Sequence, residues 1–130
     1  MSDSTDIAHD LAEDWFAAWN AHDLERILSH YAEDIVFSSP YVASLGADPS
    51  GTLVGKDRLR AYWRTALDRF PDLRFEPLGR AYGVDSVVLH YRGVGGILAS
   101  EVLELGPDGL VHRSCAHYAA GELGASEERG

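Results

Sequence analysis

Three side chains near the C-terminus have types suited to moving a proton: Glu101, His117 and Tyr91. Each falls in a run that alternates with apolar neighbours. Val87, Leu89 and Tyr91 form one such series, Glu101, Leu103 and Leu105 a second, and Val111, Arg113, Cys115 and His117 a third. Alternation with period two marks one face of a strand, and these faces carry charge where a structural core would carry aliphatics. In an apolar pocket a glutamate's pKa rises, which makes Glu101 usable as a general base or acid near neutral pH. His117 would shuttle protons as its partner, and Tyr91 would donate a hydrogen bond. Two quieter readings stand beside this one. Arg113 and Glu101 on neighbouring strands would make an ordinary cross-strand ion pair, leaving Glu101 ionised and a weaker base. His117 would then be a satisfied core histidine.

Other chemistries find less in the chain. None of the six histidines stands in an HxH or HExxH spacing. His90 and His112 would meet as cross-strand neighbours on the outer sheet face, but two ligands make no metal site. The single cysteine, Cys115, excludes an internal disulfide and a thiolate zinc cluster; mid-strand, it reads as a small hydrophobe lining the face. No GxSxG elbow or phosphate loop is present: Gly93-Val-Gly95-Gly96 lies between strands. The expectation is therefore no metal and no cofactor. Trp19, Tyr41, Tyr62, Trp63 and Tyr91 would supply an aromatic wall for an apolar ligand, although the helical spacing of Trp15 and Trp63 favours core. Trp19, Tyr41, Trp63, Arg113 and Cys115 are the expected substrate-binding residues.

These residues need elements to position them. The first helix is expected from Thr5 to Asn20, capped by Ser4 or Thr5, with Ile7, Leu11, Trp15 and Trp19 on one stripe. Asp23 caps a second, short helix with Leu24, Ile27, Leu28 and Tyr31 inward. Ile35 to Ser38 is a strand ended by Pro40, and Tyr41 to Gly51 is a loop of the length often used for binding. The third helix runs from Lys56 to Phe70, stopped by Pro71. The remainder is β: Leu73–Arg80, Val87–Val94, Ile97–Leu105 and Leu110–Tyr118, with Gly106-Pro-Asp-Gly109 as a hairpin turn. Helices followed by an antiparallel meander make an α+β domain.

With 130 residues the chain suits a single domain, its ordered core expected over 5–119 and its tails at 1–4 and 120–130. A net charge of −10 argues against nucleic acid and anionic membranes. No apolar run approaches the ~20 residues of a membrane span, and the acidic N-terminus is unlike a secretory signal, so a cytoplasmic protein is the default.

Trp19-Asn-Ala-His-Asp23, Tyr31-Ala-Glu-Asp-Ile-Val-Phe37, Gly51…Gly55-Lys-Asp, Phe70-Pro-Asp-Leu-Arg-Phe75 and Asp108-Gly-Leu-Val111, in that order, resemble the nuclear transport factor 2-like superfamily and its SnoaL-like, polyketide cyclase-like branch. The resemblance spans Ile7 to Tyr118. It implies a cone: three N-terminal helices packed on a curved, mostly antiparallel sheet that encloses a pocket. It also implies that Val87, Leu89, Tyr91, Glu101, Leu103, Val111, Arg113, Cys115 and His117 face inward. The opposite face, with Val88, His90, Val102 and Ser114, would then serve a homodimer. Family members often carry an aspartate where Ala119 stands, so that carboxylate is absent. Two function classes follow. One is a cofactor-free isomerase, cyclase or dehydratase acting on an apolar small molecule; the other is a non-catalytic binding or association module.

Overall fold

A computed structural model of the chain describes residues 3–120, and the side chains of residues 6–120. Of the expected tails at 1–4 and 120–130, residues 1–2 and 121–130 lie outside what is described, whereas residues 3–5 already belong to the first helix, which therefore starts before the expected cap at Ser4 or Thr5. Helix α1 spans Asp3–Asn20 and buries Ala8, Leu11, Ala12, Trp15, Phe16 and Trp19, the three- and four-residue spacing of one helix face. Ile7, expected on that stripe, is instead 44% exposed.

The chain leaves α1 through a pair of side-chain clamps. The Asn20 amide donates to the Phe75 carbonyl and accepts from the Phe75 N–H, at 3.0 and 2.7 Å. His22, at φ +57°, places Nε2 2.7 Å from the Leu73 carbonyl; a carbonyl only accepts, so Nε2 carries the proton. The Leu73 carbonyl and both backbone polar groups of Phe75 are therefore bonded to the end of α1 and the turn after it. The strand expected from Leu73 begins only at Glu76. Asp23 caps α2 (Leu24–Leu28), its side chain accepting from the Arg26 N–H.

Six strands form one curved, open sheet: β1 (Tyr31–Ser38), β2 (Thr52–Val54), β3 (Glu76–Tyr82), β4 (Ser86–Arg92), β5 (Leu98–Leu105) and β6 (Val111–Tyr118). Their spatial order is β2-β1-β6-β5-β4-β3, with β1 and β6 parallel and every other pair antiparallel. Tyr31, expected on the second helix, opens β1. The expected loop contains a one-turn helix, α3 (Pro40–Ser44), whose Ser39 hydroxyl accepts from the Tyr41 N–H while Pro40 fills its first turn. There are thus four helices among the described residues rather than three. The fourth, α4 (Lys56–Arg69), buries Leu59 and Trp63. Helices α1 and α4 cover the concave face, and the core lies between them and the sheet.

Strand β6 breaks the expected parity. Leu103 pairs with Ser114 and Glu104 with Arg113, but the next residue, Leu105, pairs with Val111. His112 is the extra residue of a β-bulge, so two residues of β6 oppose one of β5. A single inserted residue exchanges the two faces of everything beyond it. Val111 points inward as expected. After the bulge, Ser114, Ala116 and Tyr118 are the inward residues, while Arg113 and His117 are exposed and Cys115 is half-buried on the convex side.

Candidate active site

The strand registers lay out the concave face as rows across β4, β5 and β6. Tyr91, Ala99 and Tyr118 share one row; Leu89, Glu101 and Ala116 the next; Val87, Leu103 and Ser114 the third. Glu101 sits in the middle of this lattice with only 3% of its surface exposed. Diagonal neighbours on adjacent strands lie about 7–8 Å apart, within reach of long side chains, and Glu101 uses two such diagonals. The Tyr91 hydroxyl donates to its Oε1 at 3.1 Å, and the Ser114 hydroxyl to its Oε2, also at 3.1 Å. Behind Ser114 stands Tyr31, wholly buried, whose hydroxyl accepts from Trp15 Nε1 at 2.9 Å.

Among the described residues this carboxylate has no cationic partner. Burial pushes its pKa up to about 7, and the hydrogen bonds from Tyr91 and Ser114 keep it from rising further. A hydrogen bond from a neutral hydroxyl steadies the ionised form without supplying countercharge. The neighbouring phenols answer in kind. Tyr91 and Tyr31 are both raised well above their ordinary value, first by burial and then by the nearby Glu101 charge.

Glu101 opens onto a cavity of about 400 Å³. Its walls are aromatic: Trp15, Trp19, Trp63, Phe75 and Tyr91 form a nearly continuous layer, with ring centroids 5.0 Å apart for Trp19 and Trp63, 5.2 Å for Trp19 and Phe75 and 4.6 Å for Phe75 and Tyr91. Spacings of this kind are those of offset and edge-to-face pairs. The Asn20 and His22 clamps fix the backbone of Leu73 and Phe75, both wall residues. Tyr41, Leu45 and Val94, all partly exposed, stand at the rim. Between β4 and β5, Gly95 and Gly96 take φ of +74° and +76° in the turn that forms part of this rim, a conformation glycine adopts without strain. No lysine, arginine or histidine is among the described residues that line the cavity.

The expected site residues therefore separate. Glu101, Tyr91, Trp19, Tyr41 and Trp63 come together around one cavity. Trp15 and Trp63, read as core, are both buried and part of the wall. Arg113, His117 and Cys115 are not there: the bulge at His112 turns them to the convex face. The expected Glu101–Arg113 pair is absent because Glu101 faces Ala116 and Arg113 lies opposite Glu104. His90 and His112 are not neighbours either, since β5 runs between their strands. His90 pairs with the Ser100 hydroxyl, and His112 lies beside Asp108 and Asp34. The Ala119 N–H closes the β5–β6 ladder on the Leu98 carbonyl.

Three participants escaped the sequence: Ser114, Tyr118 and Ser39. Ser114, Ala116 and Tyr118 form an alternation of their own, opposite in phase to the charged set. The residues alone give no reason to prefer it until the bulge is known.

A family model for the SnoaL-like domain matches residues 12–120. No curated protein matches the chain. Among solved structures, a SnoaL-like protein of unknown function from Burkholderia thailandensis is similar at 50% identity, covering 88% of this chain and 95% of that one, with a TM-score of 0.84. TerC, crystallised with polyporic acid, is 18% identical over 94% of this chain and 96% of its own, with a TM-score of 0.74. A protein provisionally assigned as a ketosteroid isomerase from Kribbella flavida is 18% identical, covering 89% and 80%, with a TM-score of 0.70. At such identities the last two likenesses are likenesses of fold.

Proposed function

The chain belongs to the SnoaL-like domain family, and from that premise we propose that it is a cofactor-free proton-transfer enzyme acting on a largely apolar small molecule. A family fold does not by itself name a reaction, so the reading rests on one observation. Glu101 is buried on an aromatic cavity, with its carboxyl at a pKa of about 7 and two neutral hydroxyls as its partners. A base works best when its pKa lies near the operating pH.

The step is simple to balance. Ionised Glu101 takes a proton from a C–H beside a carbonyl, the C–H electron pair becomes a C=C bond, and the carbonyl pair moves to oxygen. Returning the proton to a different carbon gives isomerisation; attack of the enolate on a second carbonyl, whose oxygen takes the proton back from Glu101, gives cyclisation; and loss of a β-hydroxyl as water, carrying that proton, gives dehydration. Tyr91 and Ser114 are positioning residues in this scheme, holding the carboxylate toward the cavity. His117 has no part in it, lying on the other face of the sheet. Relatives of this fold named for isomerase and cyclase chemistry support the class of reaction.

The test is turnover of a panel of enolisable ketones, followed by exchange of their α-hydrogens in deuterium oxide. Wild-type protein should accelerate exchange for at least one ketone, and Glu101→Gln should abolish it. Ketone binding with no exchange above the uncatalysed rate would leave a carrier in place of an enzyme. Pairing of two copies through the convex face, where Val88 and Val102 are half-buried, accompanies this reading; a monomer at micromolar concentration in sedimentation would remove it.

A further inference from the structure

A second cavity, of about 380 Å³, adjoins the one that Glu101 faces. One stripe of α4 forms its floor, with Arg58, Ala61, Tyr62, Thr65, Ala66 and Arg69 at three- and four-residue spacing. Leu45, Gly46 and Ala47, which follow α3, and Leu53 of β2 form the opposite wall. Leu45, Tyr62, Ala66 and Phe70 line both cavities, so the second begins at the rim of the first. The two carry opposite charge. Among the described residues, Glu101 is the one charged side chain lining the first, and Arg58 and Arg69 are those lining the second.

The two arginines differ. The Asp48 carboxylate accepts from the Arg58 guanidinium at 3.2 Å and from the Ser50 N–H and hydroxyl at 2.9 and 2.7 Å. Arg58 thus pins the turn after α3 onto α4, and its charge is answered. Arg69 has no carboxylate partner among the described residues, and its neighbours in sequence, Asp68 and Asp72, do not line the cavity. A helical side chain leans toward the N-terminus of its helix, which carries Arg69 back toward Thr65 and Ala66, along the groove. An exposed arginine in open solvent needs no partner. Arg69 instead closes an apolar groove that runs on from the cavity of the base. Tyr62, in the shared wall, and Arg69 are two helical turns apart, about 10 Å along α4.

We propose that this second cavity seats a terminal carboxylate, so that the substrate is a long, largely apolar keto acid with its reacting end among the aromatic rings and its carboxylate on the Arg69 guanidinium. This deepens the proton-transfer reading and rests on it for which end reacts. A guanidinium meets a carboxylate with two parallel N–H donors. The aromatic cavity does the reverse, since its one charged group is the Glu101 carboxylate and no cation lines it. Attraction in the groove and repulsion in the cavity together decide which end of the molecule enters. A phosphate dianion suits the groove less well, because Arg58 is already paired with Asp48.

Three compounds with one carbon chain test this: 10-oxoundecanoate, its methyl ester and 2-undecanone, titrated at pH 8 by the fluorescence of the cavity tryptophans. The wild type should bind the acid about fivefold more tightly than either neutral compound, the scale of one partly exposed ion pair, although protein and acid are both negatively charged. In Arg69→Gln the preference should fall to about twofold or less. In Arg64→Gln, which removes an exposed arginine of the same helix that lines neither cavity, it should persist. Equal binding of acid and neutral compounds, tighter binding of the ester, or binding of none of the three would overturn the proposal. So would a preference that survives in Arg69→Gln or falls equally in Arg64→Gln. Hydrogen exchange separates this site from the base. Exchange lost in Glu101→Gln without any acid preference keeps the base and removes the seat, whereas exchange undiminished in Glu101→Gln removes the base and leaves an Arg69-dependent preference standing. Should Arg69→Gln not fold, 10-oxoundecanoate labelled with ¹³C at its carboxyl reports on the wild type alone. Its titration midpoint when bound should lie below its midpoint in free solution. A midpoint unmoved or raised, as the net charge of −10 alone would make it, refutes the seat.

Discussion

Two carboxylates of this protein are held in opposite ways. Asp14, on the outer side of α1, is gripped by Arg26 through Nε at 2.9 Å and through its terminal nitrogen, and by His30 at 2.6 Å. The Arg26 hydrogen bond, assisted by His30, holds its carboxyl below the ordinary aspartate value despite partial burial. Glu101 has deeper burial and no cation among the described residues, and its carboxyl goes the other way, up to about 7. The first arrangement ties α1 to α2 and to the turn that leads into β1. The second leaves an expensive charge with neutral hydroxyls around it, which a purely structural core would have no reason to keep. Pairing makes Asp14 a tie within the fold; that no described cation pairs with Glu101 supports its proposed role as the base.

The largest effect should come from removing the unpaired carboxylate. Glu101→Gln keeps shape and one hydrogen-bond acceptor, and exchange on an accepted ketone should fall by about 10²–10⁴-fold, the usual contribution of a general base. Asp14→Asn should leave the rate within about twofold, since Asp14 is not among the cavity residues.

Stability against pH should separate the two sites by sign. Glu101 is raised in the folded state, so the unfolded chain loses its proton first as pH rises. The stability this group supplies is complete below about pH 4.5 and lost as pH climbs through about 7. The loss amounts to roughly 3 kcal/mol. Urea melts of wild type and Glu101→Gln across pH 4.5–8 should diverge by about that amount, with the variant the flatter. Asp14 is lowered in the folded state, so its stabilisation holds above the unfolded value of 3.8 and is lost as pH falls below it. Partly exposed pairs are screened, and the Asp14→Asn cost should stay under about 1 kcal/mol. Parallel curves for wild type and Glu101→Gln would erase the contrast.

A smaller change should come from Ser114→Ala, which removes one of the two donors to Glu101. The carboxylate should then titrate higher, since that hydrogen bond holds its pKa down, and the rising limb of the pH–rate profile should move to higher pH with it. His117→Ala should do least, leaving rate and profile unchanged, because His117 lies on the convex face.

Much of the fold could be read from periodicity. The stripes of α1 and α4, the Asp23 cap and the Gly106–Gly109 hairpin all follow from local chemistry, and the α+β class follows from their order. Glu101 was legible because β5 keeps strict alternation through the core. Strand β6 was not, because one bulged residue, His112, reverses the phase of six residues after it. Both phases of β6 mix polar and apolar side chains, so no pattern in the strand betrays the slip. The same slip took away Arg113 and His117 and brought in Ser114 and Tyr118. Without Arg113, Glu101 changes from an ion-pair partner into a lone buried acid.

That change is the centre of the account, and a single titration measures it. With glutamate side-chain carboxyls labelled by ¹³C, and Glu101 assigned by its absence in Glu101→Gln, its resonance can be followed from pH 3 to 9. The account predicts a midpoint near 7. A midpoint at or below the ordinary value of 4.5 would mean that Glu101 has a countercharge or free access to water, and would contradict it.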